Sequence, residues 1–498
     1  MLIDALYANA RERADRTALI CDEQQLTHAE LLERVERLAR GLACLGIGAG
    51  DAVALLAPNS PEWVVSLLAV AGLGAAAVPL NPQFKPEELA FYFRNSDVRA
   101  VIADEPRMPV AERIAAGWER ALPLISAGAE RGDAPSVERL IADHPRGRLP
   151  ARAGDDFVYL YSSGSTGRPK RVARTHGQWW AEGESYRASI GIGADDTLFC
   201  AIPLFHTYGM GICLATWIRT GAALVIMSDP NPFLLNRGRA LELLERHRVT
   251  LFPGVPFNFR LLAEADAEAD LSSVRACFSA GTALPQDAFL AFYRRYGIAV
   301  RQLYGSTETG VMTINLDRDP FATSASVGTP VPGMEVAVLD EAGAPTAPGE
   351  EGELVVSGPA VARGYADMTE ANRESFRDGR YFTGDLGRLD EEGRVFITGR
   401  KKLFIEVRGH KVDPIEVEDV LVTHPKVREA VVVGVESGVA GEEIVKAAIV
   451  PANGCEEREV IGFCQQRLAG FKVPQIVEFR EEIPKSPLGK ILRKYLVQ

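Results

Sequence analysis

From Leu26 to about Leu316 the chain keeps one rhythm, in which an amphipathic helical period is followed by a short β-branched run. LTHAELLERVERLARGLACLG leads into DAVALLAP, and a helical segment after Pro61 leads into AAAVPLN. That alternation predicts an α/β body. Trp63 to Leu80 carries no charge over 18 residues, the lower limit for a membrane span. Gly72, Gly74 and Pro79 interrupt it, and we read it as a buried helix running into a buried strand. The polar, Gly/Pro-rich stretch from Ala127 to Asp155 reads as a surface connection.

From Gly333 the period changes to strand alternation, in MEVAVLD, ELVVSG, LGRLD and RVFITG, with EAGAPTAPGEEG and EEG as turns. A β-rich subdomain should follow the α/β body. After GRKK, residues 399–402, the texture changes again. Asp413, Pro414 and Glu416 give an N-cap acid, a proline at the first helical position and a first-turn acid, so a helix should begin there. Strands REAVVVGVES and EEIVKAAIVPANG, a helix from about Glu456 to Leu468 and a lysine-rich tail predict a small α+β unit. The predicted divisions are residues 1–398, a connection at 399–402, and 403–498.

At 498 residues, 47% apolar and 24% charged, the chain can bury the cores of about three folding units without covalent staples. Its seven cysteines form no CxxC pair, and MLIDALYANARERADR turns charged too soon for a signal peptide. Both readings predict a cytoplasmic protein with no membrane span. A formal charge of −12, from 55 basic and 67 acidic residues, argues against nucleic acid as a partner. An anionic ligand must then be held by a few placed cations and by backbone N–H groups.

One segment offers both. Tyr161-Ser-Ser-Gly-Ser-Thr-Gly-Arg-Pro-Lys170 follows the strand-like FVYLY, exposes N–H groups and hydroxyls, and ends on a point charge, which suits polyphosphate. It is not a Walker A loop, because Pro169 precedes Lys170 and Arg171 follows it. The cluster GIGAG, Gly46 to Gly50, follows a helix and precedes a strand, the order of a helix-stop turn. SAGTALP, residues 279–285, reads alone as a strand-to-helix loop.

Taken in order, the loop at 161–170, PLFHTYG (203–209), SAGTALP (279–285), YGSTETG (304–310), YFTGDLG (381–387), GRKKLFIEVRGHKV (399–412) and PKSPLGK (484–490) resemble the ANL superfamily of adenylate-forming enzymes across nearly the whole chain. The resemblance implies the ANL fold, a large α/β body with a β-rich subdomain and a small mobile α+β C-terminal domain. It also implies ATP-dependent conversion of a carboxylic acid to an acyl adenylate with loss of pyrophosphate, then transfer to the thiol of coenzyme A. ATP, Mg2+ and coenzyme A are the implied small molecules.

The same resemblance assigns roles. Lys490 bridges the substrate carboxylate and the α-phosphate, and Thr166 and His206 join it in the catalytic set. Glu308 is the magnesium ligand. Ser162, Ser163, Gly164, Ser165, Thr166, Gly167, Lys170, Gly305 and Thr307 hold the phosphates. Tyr304 stacks on adenine opposite the Gly281-Thr282-Ala283 backbone, with Gln302 at the ring edge. Asp385 and Arg400 bind ribose. Lys402 is the hinge residue, and Arg408, Gly409 and Lys411 face the pantetheine channel. Phe205, His206, Tyr208, Phe257, Phe278, Gly281 and Met312 line an acid pocket whose walls about His206 carry no charge, which predicts an apolar or aromatic acid. The resemblance disfavours an amino acid, because amino-acid-activating relatives carry an aspartate where His206 stands. Two positions depart from the family pattern: Arg171, where glycine is common, and Glu406, where a lysine often serves thioester formation. The reversed charge at Glu406 keeps open an alternative acceptor, the phosphopantetheine of a carrier protein.

Overall fold

A computed structural model of the chain describes residues 2–84, 86–132, 134–150, 155–162, 169–228, 233–400, 405–407, 410–412, 414–436, 443–452, 454–468, 470–486 and 490–497. They divide into a larger unit, which runs to Val336 and takes back Val355–Phe382, and a smaller one of Ala337–Leu354 and the chain from Thr383.

The larger unit holds two sheets. One has the order Leu124–Ser126, Val98–Ala103, Ala52–Leu56, Ala76–Pro79, Asp156–Ser162, Lys170–Thr175. Its first five strands are parallel and the last returns antiparallel, Ser162 facing Lys170 across the pair. The second has the order Thr329–Pro330, Gly310–Ile314, Val300–Ser306, Ala276–Ser279, Leu251–Gly254, Thr197–Cys200, Ala223–Ile226, Thr17–Cys21, Gln24–Thr27. Its run from Val300–Ser306 to Thr17–Cys21 is parallel, which needs helical crossovers and buries the strands on both faces.

The local causes are readable. Thr27 caps helix His28–Cys44 by accepting from the Glu30 N–H, and Glu30 reaches back to the Thr27 N–H. Ser60 and Pro61 open helix Pro61–Gly72, whose Val64, Val65 and Val70 are wholly buried. Strand Ala76–Pro79 is buried throughout, so the uncharged stretch from Trp63 to Leu80 is core. No helix among the described residues is long and apolar enough to cross a membrane. Gly46 and Gly50 stand at φ +87° and +85° beyond the helix ending at Cys44, the turn expected there. The stretch after Ala127 differs from expectation, because Val137–Asp143 is a helix. Ser136 caps it, and Val137, Leu140 and Ile141 are buried, a spacing too short for periodicity to announce.

The sheet Glu335–Leu339, Gly352–Ser357, Arg380–Leu389, Phe376–Arg377, with Val395–Arg400 also on Arg380–Leu389, is the expected β-rich part. In the smaller unit, helices Pro414–Val422 and Glu457–Gln465 pack Val417, Leu421, Val460 and Cys464 against Val432, Val445 and Ala447 of the sheet Val427–Glu436, Glu443–Pro451, Ile476–Phe479. Each of these valines and leucines contributes about 1.5–3 kcal/mol on burial.

His176 opens helix His176–Ile190, is 1% exposed, and packs on the Phe157 ring. Burial pushes its imidazole down to about 4 from 6.5. Between those values the unfolded chain binds the proton and the folded chain does not, so stability falls as pH drops from 6.5 toward 4. Urea unfolding across that window should show a loss of up to roughly 3 kcal/mol, absent in His176→Gln.

Candidate active site

Three motif segments, and the chain at Val255, leave the carboxyl ends of adjacent parallel strands, where ligands of open α/β sheets bind. Residues 203–209 follow Thr197–Cys200, Val255 follows Leu251–Gly254, 280–285 follow Ala276–Ser279, and 307–309 follow Val300–Ser306. The last of these closes a hairpin in which Ser306 faces Gly310 and Tyr304 faces Thr313. Gly310 has φ +67°, and a Cβ there would fall 2.3 Å from the Glu182 carboxyl carbon, so the turn admits only glycine.

Glu308, at the tip, is 5% exposed. Its Oε1 accepts from the Tyr365 hydroxyl at 2.8 Å, and its carbonyl accepts from the Ala362 N–H at 2.7 Å. Tyr365 pairs through its backbone neighbourhood with strand Lys170–Thr175, where Val172 bridges Tyr365 and the Ala366 N–H donates to Arg171. The Lys170 ammonium lies 4.5 Å from the centre of the Tyr365 ring. One aromatic ring therefore joins the loop cation to the buried carboxylate. Tyr381 stands 3.5 Å from the Tyr365 hydroxyl, and burial together with the Glu308 charge pushes both phenols up, so each keeps its proton to donate.

Pleating explains the departure at Arg171. Alternate residues of Lys170–Thr175 face opposite sides. Lys170, Val172 and Arg174 share the buried side, while the Arg171 guanidinium lies 5.0 Å from the Tyr159 ring centre and 3.4 Å from Asp367.

Segment 203–209 is anchored by Asn59, which donates to the Ile202 carbonyl at 2.9 Å and accepts from the Leu204 N–H at 2.7 Å. The His206 Nδ1 accepts from the Tyr208 N–H at 3.2 Å, which puts the proton of the neutral ring on Nε2. The buried Tyr208 hydroxyl donates to the Phe278 carbonyl at 3.1 Å. Phe278 and Met312 are buried, Phe205 is half-buried, and Phe257 is 52% exposed. Gly281, at φ +90°, and Thr282 and Ala283 are exposed. Gln302 holds their loop from below, accepting from the Leu284 N–H at 2.8 Å and donating to the Ser324 carbonyl at 2.6 Å. Tyr304 and Thr307 are half-buried and Gly305 is exposed.

In the smaller unit, Asp385 and Arg400 face one another across an antiparallel pair, with Arg400 Nε 2.5 Å from Asp385 Oδ1. Lys490 is exposed, and the chain on its two sides pairs through the Ser486 N–H on the Lys490 carbonyl at 2.7 Å and the Leu492 N–H on the Pro484 carbonyl at 2.8 Å. Lys485–Glu429 and Arg493–Glu418 ion pairs fasten the same two stretches. Ser162 is the last residue of strand Asp156–Ser162, one position beyond the strand-like run FVYLY. Ser163, Gly164, Ser165, Thr166, Gly167, Lys402, Arg408 and Gly409 lie outside the described residues, as do the side chains of Glu406 and Lys411.

Asn59, Arg174, Glu182 and Tyr365 escaped the sequence reading, and Tyr381 entered it only as the first residue of YFTGDLG, with no role assigned. A tyrosine in GYAD or an arginine in a strand carries no local signal, and only long-range pairing gives it a role.

Two family models match the chain: the AMP-binding enzyme over residues 6–366 and the AMP-binding enzyme C-terminal domain over 416–490. A feruloyl-CoA synthase of Amycolatopsis sp is 35% identical over 490 residues, covering 97% of this chain and 96% of the relative. Among solved structures, the anthranilate CoA ligase AuaEII in complex with anthranoyl-AMP superposes with a TM-score of 0.86 at 28% identity, over 99% of this chain and 96% of that one. A benzoate CoA ligase from Burkholderia xenovorans LB400 gives 0.84 at 29% identity, over 100% and 99%. The chain belongs to the AMP-binding enzymes, in the acyl- and aryl-CoA synthetase branch of the ANL superfamily.

Proposed function

We propose that this AMP-forming acid–CoA ligase acts on an apolar or aromatic carboxylic acid in the cytoplasm. The cluster of Lys170, Tyr365 and Glu308 beside the turn of Thr307 carries the reading, since it offers a cation and an oxygen donor where the strand ends expose backbone N–H groups. The names of the feruloyl, anthranilate and benzoate relatives support an aromatic acid and favour CoA over a carrier protein as acceptor. The seven free cysteines suit a reducing compartment.

A carboxylate oxygen bonds to the α-phosphorus as the bond to the bridging β-phosphate oxygen breaks and pyrophosphate leaves. The CoA sulfur then bonds to the acyl carbon as the acyl–oxygen bond breaks and AMP leaves. Both partners of the first step are anions, so placed charge is the main requirement. In this reading Lys170 and residues 162–167 hold the phosphates. Glu308, a hard oxygen donor fixed by Tyr365, would hold Mg2+, whose charge offsets that of the phosphates. His206 Nε2–H orients the substrate carboxylate, and Tyr304 and the 281–283 backbone take the adenine. Asp385 and Arg400 take the ribose hydroxyls, and Lys490 supplies the ammonium at the reacting oxygens. The limits 1–398, 399–402 and 403–498, with Lys402 as hinge and Arg408 and Gly409 toward pantetheine, belong to the same proposal.

Lys490→Ala should lower acid-dependent pyrophosphate–ATP exchange by about 10² or more. It should spare thioester formation from a synthetic acyl adenylate, and equal loss of both steps would overturn the role of Lys490. AMP release with free CoA across a panel of benzoic, cinnamic and alkanoic acids tests the substrate class, which fails if only polar acids turn over. Tyr365→Phe keeps the ring under Lys170 but strips Glu308 of its donor. Magnesium titration of the exchange reaction should show a requirement raised by roughly 10-fold or more.

A further inference from the structure

Behind the Thr307–Glu308 turn lies an ion pair that none of the roles above uses. Arg174 Nη2 is 3.1 Å from Glu182 Oε2, and the two side chains are 0% and 2% exposed. Arg174 sits on strand Lys170–Thr175, on the same side as Lys170, and its Nη1 donates to the Thr307 carbonyl at 3.3 Å. Glu182 sits on helix His176–Ile190 and accepts from the Val311 N–H. Its carboxylate packs against two glycines, since a Cβ on Gly310 or on Gly211 would come within 2.3 Å or 2.2 Å of its atoms. Gly211 belongs to the π-helical segment Gly209–Ala215, next to His206 and Tyr208.

Stability alone does not account for the pair. Two charges taken out of water lose hydration that their attraction only partly returns, and an apolar pair of similar volume often does as well. The loss is larger here, because Arg174 Nε is buried with no hydrogen-bond partner. What an apolar pair could not do is fix direction. The planar guanidinium donates at once to the carboxylate and to the carbonyl of Thr307, and the carboxylate faces the N–H of Val311 in the returning strand.

We infer that Arg174 and Glu182 are positioning residues that set the Thr307–Glu308 turn, and hence its grip on magnesium-bound nucleotide, from beneath. The inference rests on the reading of Glu308 as the magnesium ligand. Three variants test it: Glu308→Gln, Glu182→Gln and the double apolar variant Arg174→Met/Glu182→Leu. Calorimetric titration with Mg2+ and α,β-methylene-ATP reads nucleotide affinity without turnover, thermal unfolding reads fold integrity, and pyrophosphate exchange gives KM for ATP and for the acid separately.

The expected result is a double variant that unfolds near the wild-type temperature yet binds the magnesium analogue roughly 10-fold more weakly. Its KM for ATP should rise while that for the acid moves far less, and Glu182→Gln should shift the same two quantities in the same direction. Wild-type affinity in a folded double variant, with Glu308→Gln weakened, would overturn the positioning role alone. Wild-type affinity in Glu308→Gln would overturn the reading of the turn beneath it. Should Glu182→Gln fail to fold, the double variant, which buries no unpaired charge, still decides the matter.

Discussion

The larger unit is organised around a carboxylate withdrawn from water. Glu308 is buried at the tip of a hairpin, and an unpaired buried carboxylate would cost several kcal/mol. The Tyr365 hydroxyl removes part of that cost, and the Lys170 ammonium on the face of the same ring adds a favourable field. Tyr365 can do this only because Val172 bridges it to the edge of a sheet whose strands come from a distant stretch of chain. The charge thus depends on the fold, and the hairpin depends on having somewhere to put the charge.

The same economy recurs at longer range. Strands Thr197–Cys200, Leu251–Gly254, Ala276–Ser279 and Val300–Ser306 end together, and the loops that follow are held mainly by polar side chains in the core. Asn59 holds Ile202 and Leu204, Gln302 holds Leu284 and Ser324, and Arg174 holds Thr307. Polar cores are costly unless satisfied, and when satisfied they specify geometry as apolar packing does not. In the smaller unit the described chain on either side of Lys490 is fastened by ion pairs, Lys485–Glu429 and Arg493–Glu418.

Much of this was legible beforehand, and the reasons differ by element. Helix Pro61–Gly72 and strand Ala76–Pro79 could be read because their boundaries are covalent facts, a capping serine before proline and glycines after. The two strands about the EEG turn were legible as LGRLD and RVFITG, but the facing of Asp385 and Arg400, one residue outside each run, was not. Helix Val137–Asp143 was missed because its seven residues show too little of a helical period, and its stability comes from partners elsewhere. Tyr365, Arg174 and Glu182 were missed for a related reason. Their meaning lies in which strand they lie beside, and pairing between residues 172 and 365 leaves no mark in either local sequence.

The π-helical segment Gly209–Ala215 bears on how such a chain can change. A π turn is one residue wider than an α turn, and it stands directly before helix Thr216–Thr220, which Trp217 secures by donating to the Ala18 carbonyl at 2.8 Å. The widened turn brings Gly209 and Gly211 against the Pro203 carbonyl and the Glu182 carboxylate, where a Cβ would fall 2.7 Å and 2.2 Å from those oxygens. The backbone behind His206 is thus held by close approach to two oxygens, and a side chain at either glycine would push it away from them.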